Sequence, residues 1–116
     1  MPTIERSAQE QRTEAMARYF RVLGDPLRLR ILELLLDRER TVSELVEAIG
    51  ASQSRVSNHL ACLRWCRLVE SERAGRNVVY RISDARVDGL LGMSEQLSEQ
   101  HSAHLAGCQR IGPDWV

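Results

Sequence analysis

The stretch Thr41-Val-Ser-Glu44-Leu-Val-Glu-Ala-Ile-Gly50-Ala-Ser52-Gln-Ser-Arg-Val-Ser-Asn-His-Leu60-Ala-Cys62-Leu-Arg-Trp-Cys66 decides the fold. Thr41 and Glu44 stand three residues apart, the spacing of a capping box in which each side chain satisfies a backbone N–H of the first helical turn. Val42, Leu45, Val46 and Ile49 then recur at helical spacing, and Gly50 stops the helix. Ser52 caps a further helix running through about Cys66. Two short helices about a glycine turn have the length and punctuation of a helix-turn-helix. At ~100° per residue, Val56, Leu60 and Leu63 form the core line of the second helix. Ser54, Ser57, Ala61 and Arg64 fall on the far or flanking side, with Asn58 close by. Small polar side chains on that face suit a helix lying in a DNA major groove, and Gln53 near its start can reach base edges or phosphates. The candidate DNA-binding residues here are Ser52, Gln53, Ser54, Arg55, Ser57, Asn58, His59 and Arg64.

Upstream, Ser7-Ala-Gln-Glu10 reads as another capping box, opening a helix whose apolar positions are Ala15/Met16, Tyr19/Phe20 and Leu23. Gly24 stops it. Asp25-Pro26 then supplies an N-cap and an N1 proline for a helix with Leu27, Ile31, Leu34 and Leu35 as its buried stripe. Downstream, the period changes. Residues 68–73 and 77–82 read as two strands joined by Ala74-Gly75-Arg76-Asn77, a β-hairpin placed as the wing of a winged helix. Its Arg76 and Arg81 are candidate contacts to phosphate or a minor groove. Asp84 caps a last helix with Val87, Leu90, Leu91 and Leu97 on one side, and Gly107 and Gly112-Pro113 break up the tail.

The expected fold is therefore mainly α with a small β-hairpin, a winged helix-turn-helix in a single domain spanning residues 1–116. It divides into a helix-turn-helix at about 41–66, a wing at 68–82, a dimerisation helix at 84–105 and a tail at 106–116. The first and last helices are amphipathic yet flank a complete winged-helix core, so a homodimer packing them against their copies is the economical way to cover them. A polar solvated helix beside an arginine-rich hairpin is the plain alternative to DNA binding. The order of cap, glycine turn, polar helix and basic hairpin favours DNA.

With 116 residues the chain fits one domain, and at 4% aromatic its core must be aliphatic. Apolar runs are too short to span a membrane, and Met-Pro-Thr-Ile-Glu-Arg has no apolar signal core, so a cytoplasmic location is expected. The formal net charge of 0 hides a division. Residues 53–81 hold six arginines against two acids, a net of +4, whereas residues 82–116 sum to −3. A local phosphate-binding surface on a neutral scaffold has that footprint. No nucleophile, base and orienting group stand together, so an enzyme is not expected.

Cys62 and Cys66 are four apart, so their thiols point the same way from the helix. They lie roughly 80–120° off its core line. The third cysteine, Cys108, is in the tail. An odd count argues against a disulfide framework. Either helix cysteine alone reads as a small buried hydrophobe. The pair together with one tail cysteine reads as a soft-metal site, because soft thiolates select soft ions. A disulfide within a regular helix is strained, so a redox or persulfide sensor would need Cys108 as partner.

Leu23-Gly-Asp-Pro-Leu-Arg-Leu-Arg-Ile-Leu32, Ser52-Gln-Ser-Arg-Val-Ser-Asn-His-Leu60 and Gly75-Arg-Asn-Val-Val-Tyr80 resemble, in wording, order and spacing, the signature stretches of the ArsR/SmtB repressors. The likeness covers about residues 13–100. It implies a homodimeric winged helix that holds double-stranded operator DNA when metal-free and releases it on binding an inducer, and it makes His59 a structural residue. The family's Cys-x-Cys in the first helix of the helix-turn-helix is absent, since Glu44-Leu-Val-Glu47 has no thiol. Cys62-x3-Cys66 with a tail cysteine is similar instead to the CmtR-like subgroup, which senses Cd(II) and Pb(II). That likeness implies a trigonal site of Cys62 and Cys66 from one protomer and Cys108 from the other. Zn(II), Hg(II) and As(III) are further candidate inducers. A second family pattern, Asp-x-His-x10-His-x2-Glu/His, falls on Asp88, Leu90, His101 and His104. Leu90 departs from it, which weakens the site, and the two histidines also suit a helix C-terminus.

Overall fold

The computed structural model describes residues 7–107, in which five helices and three strands follow one another. Helix α1 spans Ala8–Leu23, and Ser7 Oγ accepts from the Glu10 N–H at 3.1 Å. Gly24 ends α1 without entering the left-handed region (φ −77°). What matters there is its missing side chain, because a Cβ would sit 3.2 Å from the Phe20 carbonyl oxygen. Helix α2, Pro26–Asp37, starts where Asp25 Oδ1 accepts from the N–H groups of Leu27 and Arg28 at 2.9 and 3.1 Å.

Helix α3 is Val42–Ile49. Both arms of its capping box form, Thr41 N–H to Glu44 Oε1 at 3.0 Å and Glu44 N–H to Thr41 Oγ1 at 3.2 Å. Gly50 ends it at φ 81°, in the left-handed region. Helix α4, Gln53–Trp65, opens on Ser52, whose Oγ accepts from the Arg55 N–H at 3.3 Å. Arg67 ends it in the left-handed conformation (φ 62°), with Leu68 N–H bonded back to the Leu63 carbonyl at 3.0 Å.

The expected hairpin proves to be two strands of a three-stranded antiparallel sheet, ordered β1-β3-β2. Strands β2, Val69–Ala74, and β3, Asn77–Ile82, are joined by a two-residue loop with Gly75 at φ 64° in its first position, where a II′ turn requires it. Strand β1 is only Arg40–Thr41, paired with Tyr80 and Val79. Two residues show no alternation in sequence, but their position is fixed. Arg40 Nε donates to the Leu34 carbonyl at 3.1 Å, and Thr41 serves β1 and the cap of α3 together. The wing is thereby tied to the helix-turn-helix.

Ile31 and Leu32 of α2, Leu45 of α3, and Val56, Leu60 and Leu63 of α4 are fully buried, with Val69 beneath them. Helix α5, Arg86–Ala106, joins this core through Val87. Two apolar faces stay bare. On α1, Met16 and Phe20 are 58% and 61% exposed; on α5, Met93 and Leu97 are 59% and 53% exposed. Neither helix folds back to cover the other within the chain. Among the described residues no helix is long and apolar enough to cross a membrane.

Candidate nucleic-acid interface and thiol site

Helix α4 turns its apolar line inward, and this alone aims its other face at solvent. Gln53, Ser54, Arg55, Ser57, Asn58 and Arg64 are exposed. Ser52 is exposed too, but its hydroxyl is engaged by the cap and lies 3.3 Å from Ser54 Oγ. His59 is half-buried and interacts electrostatically with the Asp25 carboxyl. Burial pushes that carboxyl up, yet the N–H donors of Arg28 and Leu27, with His59 and Arg28, outweigh it and hold the carboxyl below its usual range.

On the wing the two expected arginines part company. Arg76 is exposed at the hairpin tip. Arg81 is half-buried, its Nε 2.7 Å from Glu70 and its Nη1 2.8 Å from Glu72, with Glu39 at 3.9 Å. These bonds, that to Glu72 foremost, raise its pKa further and surround one positive charge with carboxylates. Glu70 and Glu72 are the only acids of residues 53–81, and their place on one strand face, with Glu70 directly opposite Arg81, is a cross-strand relation that the sequence-level count of charge could not weigh. Arg73, unremarked in sequence, is exposed and meets no carboxylate among the described residues.

The thiols sit where α4 runs out. Cys62 and Cys66 are both half-buried and free. Cys66 is the C-cap of α4, and its carbonyl accepts from the Tyr19 hydroxyl at 3.2 Å, which binds α1 to this corner. Burial first, and then the adjacent Cys62 thiol, push the Cys66 thiol up; the nearby Arg28 charge acts the other way. Arg28 Nη1 of α2 donates to Cys62 Sγ at 3.2 Å. Beside Cys66 an open cleft of about 600 Å³ runs between α1 and the end of α4, walled by Ala15, Arg18, Tyr19, Val22 and Trp65. Trp65 is 88% exposed, which agrees with its position on α4 roughly 180° from Val56 at ~100° per residue.

Cys108 lies outside the described residues. Asp88, His101 and His104 are all exposed on α5. His101 and His104 are one turn apart, but Asp88 is ~20 Å away along the axis at ~1.5 Å per residue, so the three cannot share an ion within one chain. Among the described residues no group of three or more His, Cys, Asp or Glu is placed to hold a metal. The described part of the chain offers two adjacent thiols and a guanidinium.

Comparison with known proteins matches residues 25–71 to the family described as bacterial regulatory protein, arsR family. The chain is 43% identical over 98 residues to a probable mercury resistance operon repressor of Streptomyces lividans, covering 84% of this chain and 78% of that protein. It is 45% identical over 83 residues to the HTH-type transcriptional regulator CmtR of Mycobacterium tuberculosis, covering 72% of this chain and 70% of that protein. The structure superposes with a TM-score of 0.74 and 28% identity on the homodimeric winged helix-turn-helix DNA-binding domain of a possible ArsR-family transcriptional regulator from Mycobacterium bovis, covering 86% of this chain and 93% of that one.

Proposed function

The chain belongs to the bacterial arsR family of regulatory proteins, and on that premise we propose that it is a metal-responsive homodimeric repressor that holds operator DNA until a soft ion occupies its thiols. The observation that carries this reading is the thiol pair at the end of α4. The helix whose N-terminal half offers a polar face to a major groove ends in two adjacent free sulfurs. Whatever they bind is coupled to how that helix sits.

The proposed inducer is Cd(II) or Pb(II), held by Cys62, Cys66 and Cys108 of the partner protomer. Support comes from soft-ligand chemistry and the likeness to the M. tuberculosis regulator. Hg(II) is the second reading, favoured by the name of the S. lividans relative. Zn(II) and As(III) remain in the same chemical class, and a thiol-redox or persulfide switch would need Cys108 to close a disulfide. The Asp88, His101 and His104 set requires a second copy and lacks a ligand at Leu90.

On the DNA side, Gln53, Ser54, Arg55, Ser57, Asn58 and Arg64 read the groove, while Arg76 and Arg73 hold phosphate from the wing. Arg81 is withdrawn from that role, because Glu70 and Glu72 already neutralise it. Ser52 and His59 position α4 rather than touch bases. Metal ligation ties α4 to the partner's tail and selects a dimer geometry that docks poorly in two successive major grooves. By linkage, DNA weakens metal affinity by the factor by which metal weakens DNA affinity, typically ~5–150-fold.

The test is a fluorescence-anisotropy titration of labelled operator in the cytoplasm-like reduced state, with and without Cd(II), Pb(II), Zn(II), Hg(II), arsenite and persulfide. Release by Cd(II) or Pb(II) with a sulfur-to-metal absorbance band supports the reading. Release by oxidant or persulfide alone transfers the protein to the redox class, and no DNA binding under any condition removes the repressor assignment.

A further inference from the structure

We propose that the cleft between α1 and the end of α4 binds a planar aromatic carboxylate, its ring laid against Trp65 and Tyr19 and its charge taken by Arg18 and Arg21. The site lies beyond the metal response and does not depend on the thiol reading.

The walls divide by chemistry. Ala15 and Val22 of α1 are apolar, and Tyr19 and Trp65 are aromatic. Arg18, Arg21 and Arg28 also line the cleft, and no acid does. Arg28 is already engaged, its Nη1 donating to Cys62 Sγ at 3.2 Å. Arg18 and Arg21 are exposed and form no ion pair with a carboxylate among the described residues. A guanidinium presents a planar fork that matches a carboxylate through two parallel hydrogen bonds.

The aromatic pair supplies the other half. Trp65 is 88% exposed and Tyr19 47%. The Tyr19 hydroxyl donates to the Cys66 carbonyl at 3.2 Å, which holds the phenol at the junction of the two helices. An indole left bare beside unpaired guanidiniums offers a ring a stacking surface and its acid a counter-charge. The cleft volume of about 600 Å³ falls within the range of small-molecule pockets, ~300–1,000 Å³. An inorganic anion would leave the aromatic walls wet, and a neutral ring would leave the two arginines without a partner. One molecule carrying ring and carboxylate satisfies both.

The cleft is also distinct from the bare face of α1. At ~100° per residue, Ala15, Tyr19 and Val22 lie roughly 80–140° around the helix from the line of Met16 and Phe20. A second copy packed on that line occupies a different flank.

The experiment titrates naphthoate into the full chain, reduced and freed of metal by chelator, and follows binding by calorimetry. Two matched probes separate the contributions: naphthalenemethanol keeps the ring without the charge, and acetate keeps the charge without the ring. Naphthoate is expected to bind with a Kd of about 1 mM or below, the range open to a ligand of about a dozen heavy atoms. Each matched probe should bind at least about tenfold more weakly. The double variant Arg18→Gln with Arg21→Gln should lose about tenfold or more, the scale of one charge-assisted hydrogen bond. Trp65→Ser should lose about fivefold or more, and Trp65→Phe should regain most of that loss. All three side chains are exposed, so thermal melts of these variants should match wild type and separate lost binding from unfolding. No naphthoate binding overturns the proposal. So does naphthalenemethanol binding as tightly, which means an apolar patch only, or acetate binding as tightly, which means an anion site only. Binding kept in Trp65→Ser but lost in Phe20→Ala also overturns it, because the ligand then sits on the bare face of α1.

Discussion

Cys62 and Cys66, the proposed ligands, end the same helix whose exposed polar face is proposed to meet DNA. Serine in either place removes a soft ligand while nearly preserving volume, so the core of Val56, Leu60 and Leu63 should not notice. Cys62→Ser and Cys66→Ser are therefore expected to bind operator within about twofold of wild type yet fail to release it with Cd(II) or Pb(II); normal induction in both would remove the site. Cys108→Ser should lower metal affinity or uncouple it from release. The sign with pH is also fixed. Metal displaces thiol protons, and burial raises the Cys66 thiol above its ordinary value, so apparent metal affinity rises with pH through and beyond the ordinary thiol range. On the wing, Arg76→Ala should weaken DNA binding and reduce the salt slope by about 1, whereas Arg81→Ala should leave the slope unchanged. The i, i+4 thiol spacing was legible in the sequence because helix geometry alone produces it. The Arg28–Cys62 contact was not, since it depends on how α2 crosses α4, and the carboxylates around Arg81 were not, since strand register places them.

At the level of elements, helix ends were the most readable feature. Asp25-Pro26, Thr41 with Glu44, and Ser52 act locally, so their bonds form wherever the chain continues as a helix. Strand β1 escaped notice because two residues have no period and its pairing comes from β3, almost forty positions on. The bare faces of α1 and α5 were legible as amphipathic stripes. Two residues at helix ends make a matched experiment. Gly50 and Arg67 both hold positive φ, at 81° and 62°. Gly50 has nothing within 4 Å of where a Cβ would stand, so Gly50→Ala tests backbone strain alone and should destabilise by roughly 1 kcal/mol. Arg67→Gly removes the same strain from the end of α4 and should stabilise by about 1 kcal/mol. Paired thermal melts decide it, and equal effects of the same sign would mean that side-chain contacts, not backbone conformation, govern both turns.

In the whole molecule, the bare apolar faces and the localised charge have to be explained together. Met16 and Phe20 on α1 and Met93 and Leu97 on α5 lie outside the core, so a charge placed among them should break the proposed dimer without unfolding the subunit. Phe20→Glu is expected to sediment near 13.2 kDa, and wild type at twice that mass. The same variant then reports on the DNA surface. Four exposed arginines per subunit, Arg55, Arg64, Arg73 and Arg76, are assigned to the DNA face, eight in the dimer. If each neutralises one phosphate, log K against log salt should have a slope of about −7 for wild type and about half that for the monomeric variant. The halving follows only if the two wings and two α4 helices act as equal half-sites about a two-fold axis, which also requires a palindromic operator with half-sites about one helical turn apart, or a multiple of it. A monomer that kept the full slope would place all the phosphate contacts on one subunit, and a dimer with a flat slope would take the arginines off the DNA altogether.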